Sequence, residues 1–258
     1  MSYPRRVPPL PDRFCGMPKI ADGLCAGDCR ACEEACPVDA VIRPPDGAVR
    51  IDMGRCLFCR ACEKACPRGA IRFTAGHALA AARREDLIVG SGEAKLAAEL
   101  DKRTRRLFGR SLKLRQVSAG GCNACEADTN VLNTLAWDLG RFGIQFVASP
   151  RHADGLLVTG PLSTNMELAL RKTWEAVPAP RIVIAVGSCA IAGGPYAGHQ
   201  EVRGGAAGVV PVDLHIPGCP PHPLTILDGL LRMLGRLEAA VDDRWPPRRA
   251  CPPDGEME

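Results

Sequence analysis

The sequence predicts an α/β protein in two parts. From Lys113 onward, apolar runs typical of strands alternate with patterns typical of amphipathic helices. Such alternation predicts βαβ units and a doubly wound, flavodoxin-like open parallel sheet. Before residue 75, a cysteine-rich segment occurs twice, about 30 residues apart. This repeat indicates a separate small unit at the N-terminus.

The 14 cysteines among 258 residues are the main compositional signal. No signal peptide is expected, because Arg5, Arg6 and several prolines occupy the start without an apolar run after them. No membrane span is expected, because no uninterrupted run of about 18 apolar residues occurs. In a reducing cytoplasm, so many thiols indicate metal or redox chemistry rather than disulfides. The formal net charge of +4 leaves no broad basic surface for nucleic acid.

The second cysteine-rich segment runs Cys56-Leu-Phe-Cys59-Arg-Ala-Cys62-Glu-Lys-Ala-Cys66-Pro67. It matches C-x2-C-x2-C-x3-C-P, in which three cysteines bind one 4Fe–4S cluster and the fourth binds the other cluster. The first segment follows the same pattern with one extra residue after Cys25. The predicted ligand sets are therefore Cys25, Cys29, Cys32 and Cys66 for the first cluster, and Cys56, Cys59, Cys62 and Cys36 for the second.

Cys25 rather than Cys15 is expected to complete the first set. Only Cys25 keeps the register of the repeat, and Gly27 tolerates the unusual backbone angles of a longer loop. Cys15 and Cys251 are predicted to bind no metal. A pair of zinc sites is the alternative, but zinc usually takes separated C-x2-C pairs or mixed Cys and His sets. The segment resembles the 2×4Fe–4S ferredoxin family over residues 20–75, which implies an α+β dicluster ferredoxin domain within residues 1–75.

Residues 76–112 are predicted to form a basic helical linker, with helical composition at Ala78–Arg84 and Glu93–Arg106. A basic run without acids overlaps its end and could meet an acidic partner or an anionic membrane leaflet, although each residue alone would suit a solvated helix face. It comprises Lys102, Arg103, Arg105, Arg106, Arg110, Lys113 and Arg115. The sheet domain is predicted over 113–240, followed by a Pro-rich tail over 241–258. Its strands are expected at 113–118, 144–148, 155–159, 181–187 and 212–216, and its helices at 128–141, 164–177 and 222–240.

Four more cysteines follow strands of this sheet, namely Cys122, Cys125, Cys189 and Cys219. Ligands of an open α/β sheet gather beyond the carboxyl ends of its strands. We therefore expect one soft metal site with four sulfur ligands at that edge. Backbone N–H groups of nearby glycines, at positions 120, 121, 187 and 218, are candidates for tuning its potential.

Several stretches of this domain resemble the small subunit of group 4 NiFe hydrogenases, the formate hydrogenlyase type, and its relative, the 20-kDa-type cluster subunit of complex I. They are Arg141-Phe-Gly143, Ala148-Ser-Pro-Arg-His-Ala-Asp154, Val158-Thr-Gly-Pro161, Val186-Gly-Ser-Cys-Ala190, Gly193-Gly194, Pro211-Val-Asp213 and Ile216-Pro-Gly-Cys-Pro-Pro221. The resemblance, which covers about residues 110–240, implies that the four cysteines hold a third 4Fe–4S cluster. The spacing Cys122-Asn-Ala-Cys125 and the presence of His152 favour the hydrogenase branch. An acid near the second cysteine could relay protons or begin a helix, so the roles of Glu126 and Asp128 stay open.

No nucleophile–base pair and no flavin or nucleotide fingerprint stands out. The resemblance therefore implies a non-catalytic electron-transfer subunit of a hydrogenase-like complex, peripheral on the inner face of the cytoplasmic membrane. Expected partners are a hydrogenase-like large subunit, membrane-arm subunits, and an electron donor or acceptor at the ferredoxin domain. The alternatives are a complex I-like subunit that delivers electrons to a quinone, and a soluble ferredoxin-like carrier without a large subunit.

Overall fold

The computed structural model describes residues 3–21, 23–25, 29–45, 47–92, 108 and 111–237. The N-terminal unit repeats one pattern of strand, cysteine loop, helix and strand. The first copy contains β1 (Pro18–Ile20), α1 (Ala31–Glu34) and β2 (Val41–Ile42), and the second contains β3 (Arg50–Asp52), α2 (Ala61–Ala65) and β4 (Ile71–Phe73). β1 pairs antiparallel with β4, and β2 pairs antiparallel with β3. Because each strand pairs with a strand of the other copy, the two copies are interlocked.

The segment after β4 joins the two units. It includes a 3-10 turn, Glu85–Leu87, and β5 (Ile88–Val89), which pairs with β3. The helix predicted over Ala78–Arg84 is wrong, because Ala81 and His215 exchange backbone hydrogen bonds of 3.0 and 2.8 Å across an antiparallel bridge. Tertiary pairing here outweighs the helix propensity of alanine. The helix predicted over Glu93–Arg106 lies outside the described residues.

The larger domain is built on a five-stranded parallel sheet. Its strands are β6 (Leu112–Ser118), β7 (Ile144–Phe146), β8 (Gly155–Thr159), β9 (Ile182–Val186) and β10 (Leu214–Ile216). The order across the sheet is β7-β6-β8-β9-β10. Counted within the sheet, this is the 2-1-3-4-5 order of flavodoxin-like folds, whose switch point here lies between β6 and β8. The predicted fold class is confirmed, and each strand lies within two residues of its predicted bounds.

Helices cover both faces of this sheet. They are α3 (Ala124–Val131), α4 (Thr164–Ala176), α5 (Ser188–Ala192) and α6 (Pro223–Met233). Leu157 and Ile184 pack with Leu227 of α6 on one face. Leu156 packs with Leu170 of α4 on the other face. Adjacent residues of β8 thus serve opposite layers, which is the period of two expected for a strand with both faces buried.

Two helices depart from their predicted bounds. The helix predicted over 128–141 begins at Ala124 and ends at Val131. It cannot continue through Asp138, whose φ of +48° is left-handed. The helix predicted over 222–240 begins at Pro223 and ends at Met233. Gly235, with φ of +65°, follows it as a terminating residue.

The two units share one apolar core. Ile51, Met53 and Leu87 pack with Ala185 of β9 and Ile191 of α5. The bridge between Ala81 and His215 also covers the outer edge of β10, which would otherwise expose unpaired backbone groups. Among the described residues, none of the helices combines the length and apolar character needed to span a bilayer.

Candidate metal centre

The structure brings four cysteines to one edge of the parallel sheet. Cys122 follows β6, and Cys125 lies in the first turn of α3. Cys189 lies in α5 directly after β9, and Cys219 follows β10. Because the carboxyl ends of parallel strands meet at the same edge, these residues surround one region. We call them the sheet-edge set.

The thiols of the sheet-edge set are close enough to affect one another. Burial raises the pKa of Cys125, and the neighbouring Cys189, Glu126, Cys219 and Cys122 raise it further. The pKa of Cys189 is raised to about 11, first by burial and then by Cys219, Cys122 and Glu126. Crowded, partly buried thiols are costly to ionise without a cation, so the arrangement suits a soft metal centre that stabilises thiolates.

Two glycines leave room for the sulfur atoms of this set. A Cβ on Gly187 would lie 2.6 Å from Cys125 Sγ, and a Cβ on Gly194 would lie 2.6 Å from Cys189 Sγ. Their φ values of +89° and +57° are left-handed, which favours glycine further. The Gly187 N–H donates to Ile216 O at 2.8 Å. It is engaged in the sheet, so the hypothesis that it donates to a cluster sulfur is wrong.

Gly187→Ala is expected to disrupt the sheet-edge set. Gly198 is a matched control, because its φ of +85° is similar but a Cβ added there would meet nothing within 4 Å. Gly198→Ala therefore carries the backbone strain without the sulfur contact. We expect Gly187→Ala to cost about 1–3 kcal/mol more stability than the control, and to lose iron that the control retains. Equal iron contents and equal unfolding midpoints would contradict this.

The first set of the N-terminal unit lines one pocket. Cys25, Cys29, Cys32 and Cys66 all contribute to its wall. The remaining wall is largely apolar and includes Ile20, Leu24, Val49, Pro67, Ala70 and Ile71, with Arg68 at its side. The longer first loop thus returns Cys25 to the same pocket as the other three. Burial raises the pKa of Cys32, with smaller increases from Glu33 and Cys25.

The second set also gathers in space. Burial raises the pKa of Cys62 to about 12, with further increases from Cys36 and Cys59. Burial likewise raises the pKa of Cys56, and Cys62, Cys15 and Cys36 add to that increase. Cys15 therefore lies beside the second set rather than in the pocket of the first. Its sequence position, far from any repeat, provided no signal for this placement.

The cysteine before each proline is held in the same way in both copies. The Ala40 N–H donates to Cys36 Sγ at 3.2 Å, and the Ala70 N–H donates to Cys66 Sγ at 3.2 Å. Burial opposes ionisation of Cys66, but backbone N–H groups of Ala70, Arg68 and their neighbours outweigh it and lower its pKa. Hydrogen bonds to sulfur are one means by which a protein sets a cluster potential.

The second set neighbours both of the others. Besides burial and its own set, Cys32 of the first set contributes to the raised pKa of Cys62 in the second. Besides burial and Cys122, Cys59 of the second set contributes to the raised pKa of Cys219 at the sheet edge. The second set therefore lies between the other two.

Glu126 links α3 to the switch point of the sheet. Its Oε1 accepts hydrogen bonds from Ser118 Oγ at 2.6 Å and from Thr159 Oγ1 at 2.8 Å. Ser118 ends β6 and Thr159 ends β8, so the carboxylate ties together the two strands beside the Cys122 loop. Burial raises the pKa of Asp128. The sequence pattern left both roles open, because it could not show which strands end beside the helix.

The donor chemistry of the three sets fits iron–sulfur clusters. Each set offers four cysteine sulfurs, the usual ligands of a 4Fe–4S cluster. The absence of a side chain at Gly187 and Gly194 leaves room for the Sγ atoms of Cys125 and Cys189. In the part of the chain that the structure describes, no three His, Cys, Asp or Glu side chains gather closely enough to hold one metal ion.

Comparisons with known proteins match both units. Residues 122–233 match the family of the NADH ubiquinone oxidoreductase 20 Kd subunit, and residues 24–71 match the 4Fe-4S dicluster domain. The chain is 39% identical over 160 residues to formate hydrogenlyase subunit 7 of Escherichia coli (strain K12), a match that covers 62% of this chain and 61% of that protein. It therefore spans less than two thirds of the length of that relative.

Two other relatives are more completely covered. The chain is 37% identical over 151 residues to the probable membrane-bound hydrogenase subunit mbhJ of Pyrococcus furiosus, covering 57% of this chain and 90% of that protein. It is 42% identical over 129 residues to an NADH-quinone oxidoreductase subunit of Desulfovibrio desulfuricans, covering 50% of this chain and 69% of that protein. On the fold, the matched segment and these relatives, the chain belongs to the family of the 20-kDa subunit of NADH–ubiquinone oxidoreductase, with an iron–sulfur dicluster domain at its N-terminus.

Proposed function

We propose that the chain is an electron-transfer subunit of a membrane-associated, hydrogenase-like oxidoreductase complex and carries three 4Fe–4S clusters. The observation that carries the proposal is the gathering of twelve cysteines into three sets, of which the second neighbours both of the others. The proposed ligands are Cys25, Cys29, Cys32 and Cys66 for the first cluster, Cys36, Cys56, Cys59 and Cys62 for the second, and Cys122, Cys125, Cys189 and Cys219 for the third.

The order of the sets supports a linear path for electrons. A bound cluster supplies a one-electron couple, and the chain itself holds the clusters and sets their surroundings. Cys25 of the first set, Cys59 of the second set (the middle set) and Cys122 of the sheet-edge set are all exposed, so each set has a cysteine at the surface. We propose that an external donor or acceptor meets the Cys25 end. Exposed Cys122 and Cys219 mark the face proposed to meet the large subunit.

Two properties support the hydrogenase type over the quinone type. Two of the relatives carry names of hydrogenase complexes, and the two-residue spacing between Cys122 and Cys125 resembles that branch. The 42% identical relative named as a subunit of NADH-quinone oxidoreductase supports the alternative, delivery of electrons to a quinone. The name of the Pyrococcus furiosus relative, a probable membrane-bound hydrogenase subunit, supports association with a membrane. We propose that this chain lies on the inner face of the cytoplasmic membrane, beside membrane-arm subunits.

The test is the purified complex, extracted from native membranes without oxygen. We expect about twelve iron atoms for each copy of this chain and three reducible paramagnetic centres assignable to it. We also expect co-purification with a large subunit that contains nickel. About eight iron atoms, or stoichiometric zinc, would refute the three clusters. Quinone reduction by a nickel-free complex would contradict the hydrogenase type and favour the complex I type.

The ligand assignment of the first set has its own test. Cys25 lines the pocket of that set, whereas Cys15 lies beside Cys56. We expect Cys25→Ser to lose one cluster, about four iron atoms per chain, because serine oxygen is a poorer ligand for iron in such a cluster. Cys15→Ser is the control and is expected to keep all the iron. A cluster lost only in Cys15→Ser would show the assignment to be wrong.

A further inference from the structure

Ser188 joins the two units through a single buried hydroxyl. It is the first residue of α5, directly before Cys189, and it is 1% exposed. Its Oγ lies 2.6 Å from the carbonyl oxygen of Cys56 and 3.1 Å from that of Gly218. Cys56 belongs to the middle set, and Gly218 precedes Cys219. The Ser188 side chain therefore contacts the backbone of two cysteine loops. Ser188 itself belongs to a third, because it directly precedes Cys189.

The shorter of these contacts is the one that joins the units. A serine hydroxyl has one proton to donate. The Gly218 carbonyl already accepts the Ser188 backbone N–H at 2.9 Å. The hydroxyl proton is therefore assigned to Cys56, across the boundary between the N-terminal unit and the sheet domain. The residues that it connects are 132 positions apart in the chain.

Close packing surrounds this hydrogen bond. A Cβ on Gly54 would lie 2.9 Å from Ile191 Cγ2 of α5 and 2.7 Å from the Arg84 guanidinium carbon. Asp52 accepts two hydrogen bonds from that guanidinium, at 2.7 and 2.6 Å. The Asp52 carbonyl in turn accepts the N–H of Cys56 at 3.0 Å. The Cys56 loop is thus pressed against α5 on one side and held by its own unit on the other.

We propose that Ser188 is a positioning residue for electron transfer between the middle set and the sheet-edge set. The inference rests on the function proposed above. In this step one electron leaves the reduced centre and enters the oxidised one, and no bond forms or breaks. The rate of such a step falls steeply with distance. A hydroxyl that holds the Cys56 backbone beside Cys189 therefore acts on the rate, without touching either centre.

The test compares Ser188→Ala with Thr129→Val in the complete complex. Thr129 is a matched control because its buried hydroxyl also donates to the carbonyl of a cysteine, Cys125, at 2.7 Å, but within one helix. Iron content and thermal midpoint report assembly. The magnetic interaction between the reduced centres and the rate at which the sheet-edge centre is reduced report their coupling.

We expect Ser188→Ala to keep its iron, to show a weaker magnetic interaction and to slow reduction of the sheet-edge centre several-fold. Thr129→Val should leave the interaction and the rate unchanged. A Ser188→Ala complex whose interaction and rate equal those of the wild type would overturn the proposal, even if its thermal midpoint falls. That result would show an ordinary structural hydrogen bond.

A second variant covers the case in which Ser188→Ala does not assemble. Gly54→Ala keeps the hydroxyl but places a methyl group against Ile191 and Arg84, so it should separate the Cys56 loop from α5. The same weakening of the interaction is expected, and an unchanged interaction would overturn the proposal. If the wild-type complex itself lacks three reducible centres, the proposed function fails instead.

Discussion

Cys219→Ser is expected to remove the sheet-edge cluster and leave the other two intact. Iron should fall from about twelve to about eight atoms per chain, since one 4Fe–4S cluster is lost. Cys219 shares its set with Cys122, Cys125 and Cys189, and none of these belongs to the N-terminal repeat. Iron analysis combined with electron paramagnetic resonance of the reduced protein measures both the loss and its location.

Cys219 lies near Cys59 of another set, so this variant tests whether the two sets are separate. Cys59 contributes to the raised pKa of Cys219, so the two sets lie next to each other. Cys15→Ser is the control, because it makes the same atomic replacement beside the middle set. If Cys219→Ser removes a signal of the N-terminal unit and spares the sheet-edge signal, the division into sets is incorrect.

Of the variants proposed, Asp228→Asn is expected to lower the free energy of unfolding most. Asp228 of α6 is buried, with its side chain 1% exposed, and it accepts hydrogen bonds from Tyr3 Oη at 2.6 Å and Arg232 Nε at 2.7 Å. His77 Nε2 lies 3.8 Å from the same carboxylate. Amidation removes the negative charge that Arg232 Nε contacts inside the protein. Removing one partner of a buried ion pair costs about 3–5 kcal/mol.

The matched control is Glu167→Gln on α4. Glu167 also bonds two side chains, Arg171 at 2.9 Å and Arg203 at 2.8 Å, but its side chain is 28% exposed. Water replaces the lost interactions there, so about 0–1 kcal/mol is expected. Anaerobic denaturant unfolding of both variants measures the difference. Similar losses would contradict the claim that burial of the Asp228 network determines its contribution.

Tyr3 connects this network to the start of the chain. Its hydroxyl bonds Asp228, and its carbonyl oxygen accepts a hydrogen bond from Arg141 at 2.7 Å. Burial raises the pKa of Tyr3, and the charge of Asp228 raises it further. The hydroxyl therefore stays protonated and continues to donate across the physiological pH range. The start of the chain is in this way tied to α6.

The class of the sheet domain, its strands and the repeat of the N-terminal unit could all be predicted from the sequence. These are local properties, since a strand shows in the alternation of a few neighbouring residues and a cluster loop shows in its cysteine spacing. The predicted sets, from Cys25 to Cys219, also fall into three groups in the structure, although their role as ligands remains a proposal. Resemblance to a known family added the third cluster and the partners.

The way in which the two units meet could be learned only from their packing. The extended path of Ala78–Arg84 depends on a partner strand at His215, which composition cannot reveal. The sequence could not show that Glu126 links β6 to β8, because this role depends on the two strands ending side by side. Ser188 reaches Cys56 across 132 positions, and Tyr3 reaches Asp228 across 225. Contacts of this kind depend on the packing of complete units, because the energy that selects them comes from burial and pairing between distant residues rather than from any local pattern.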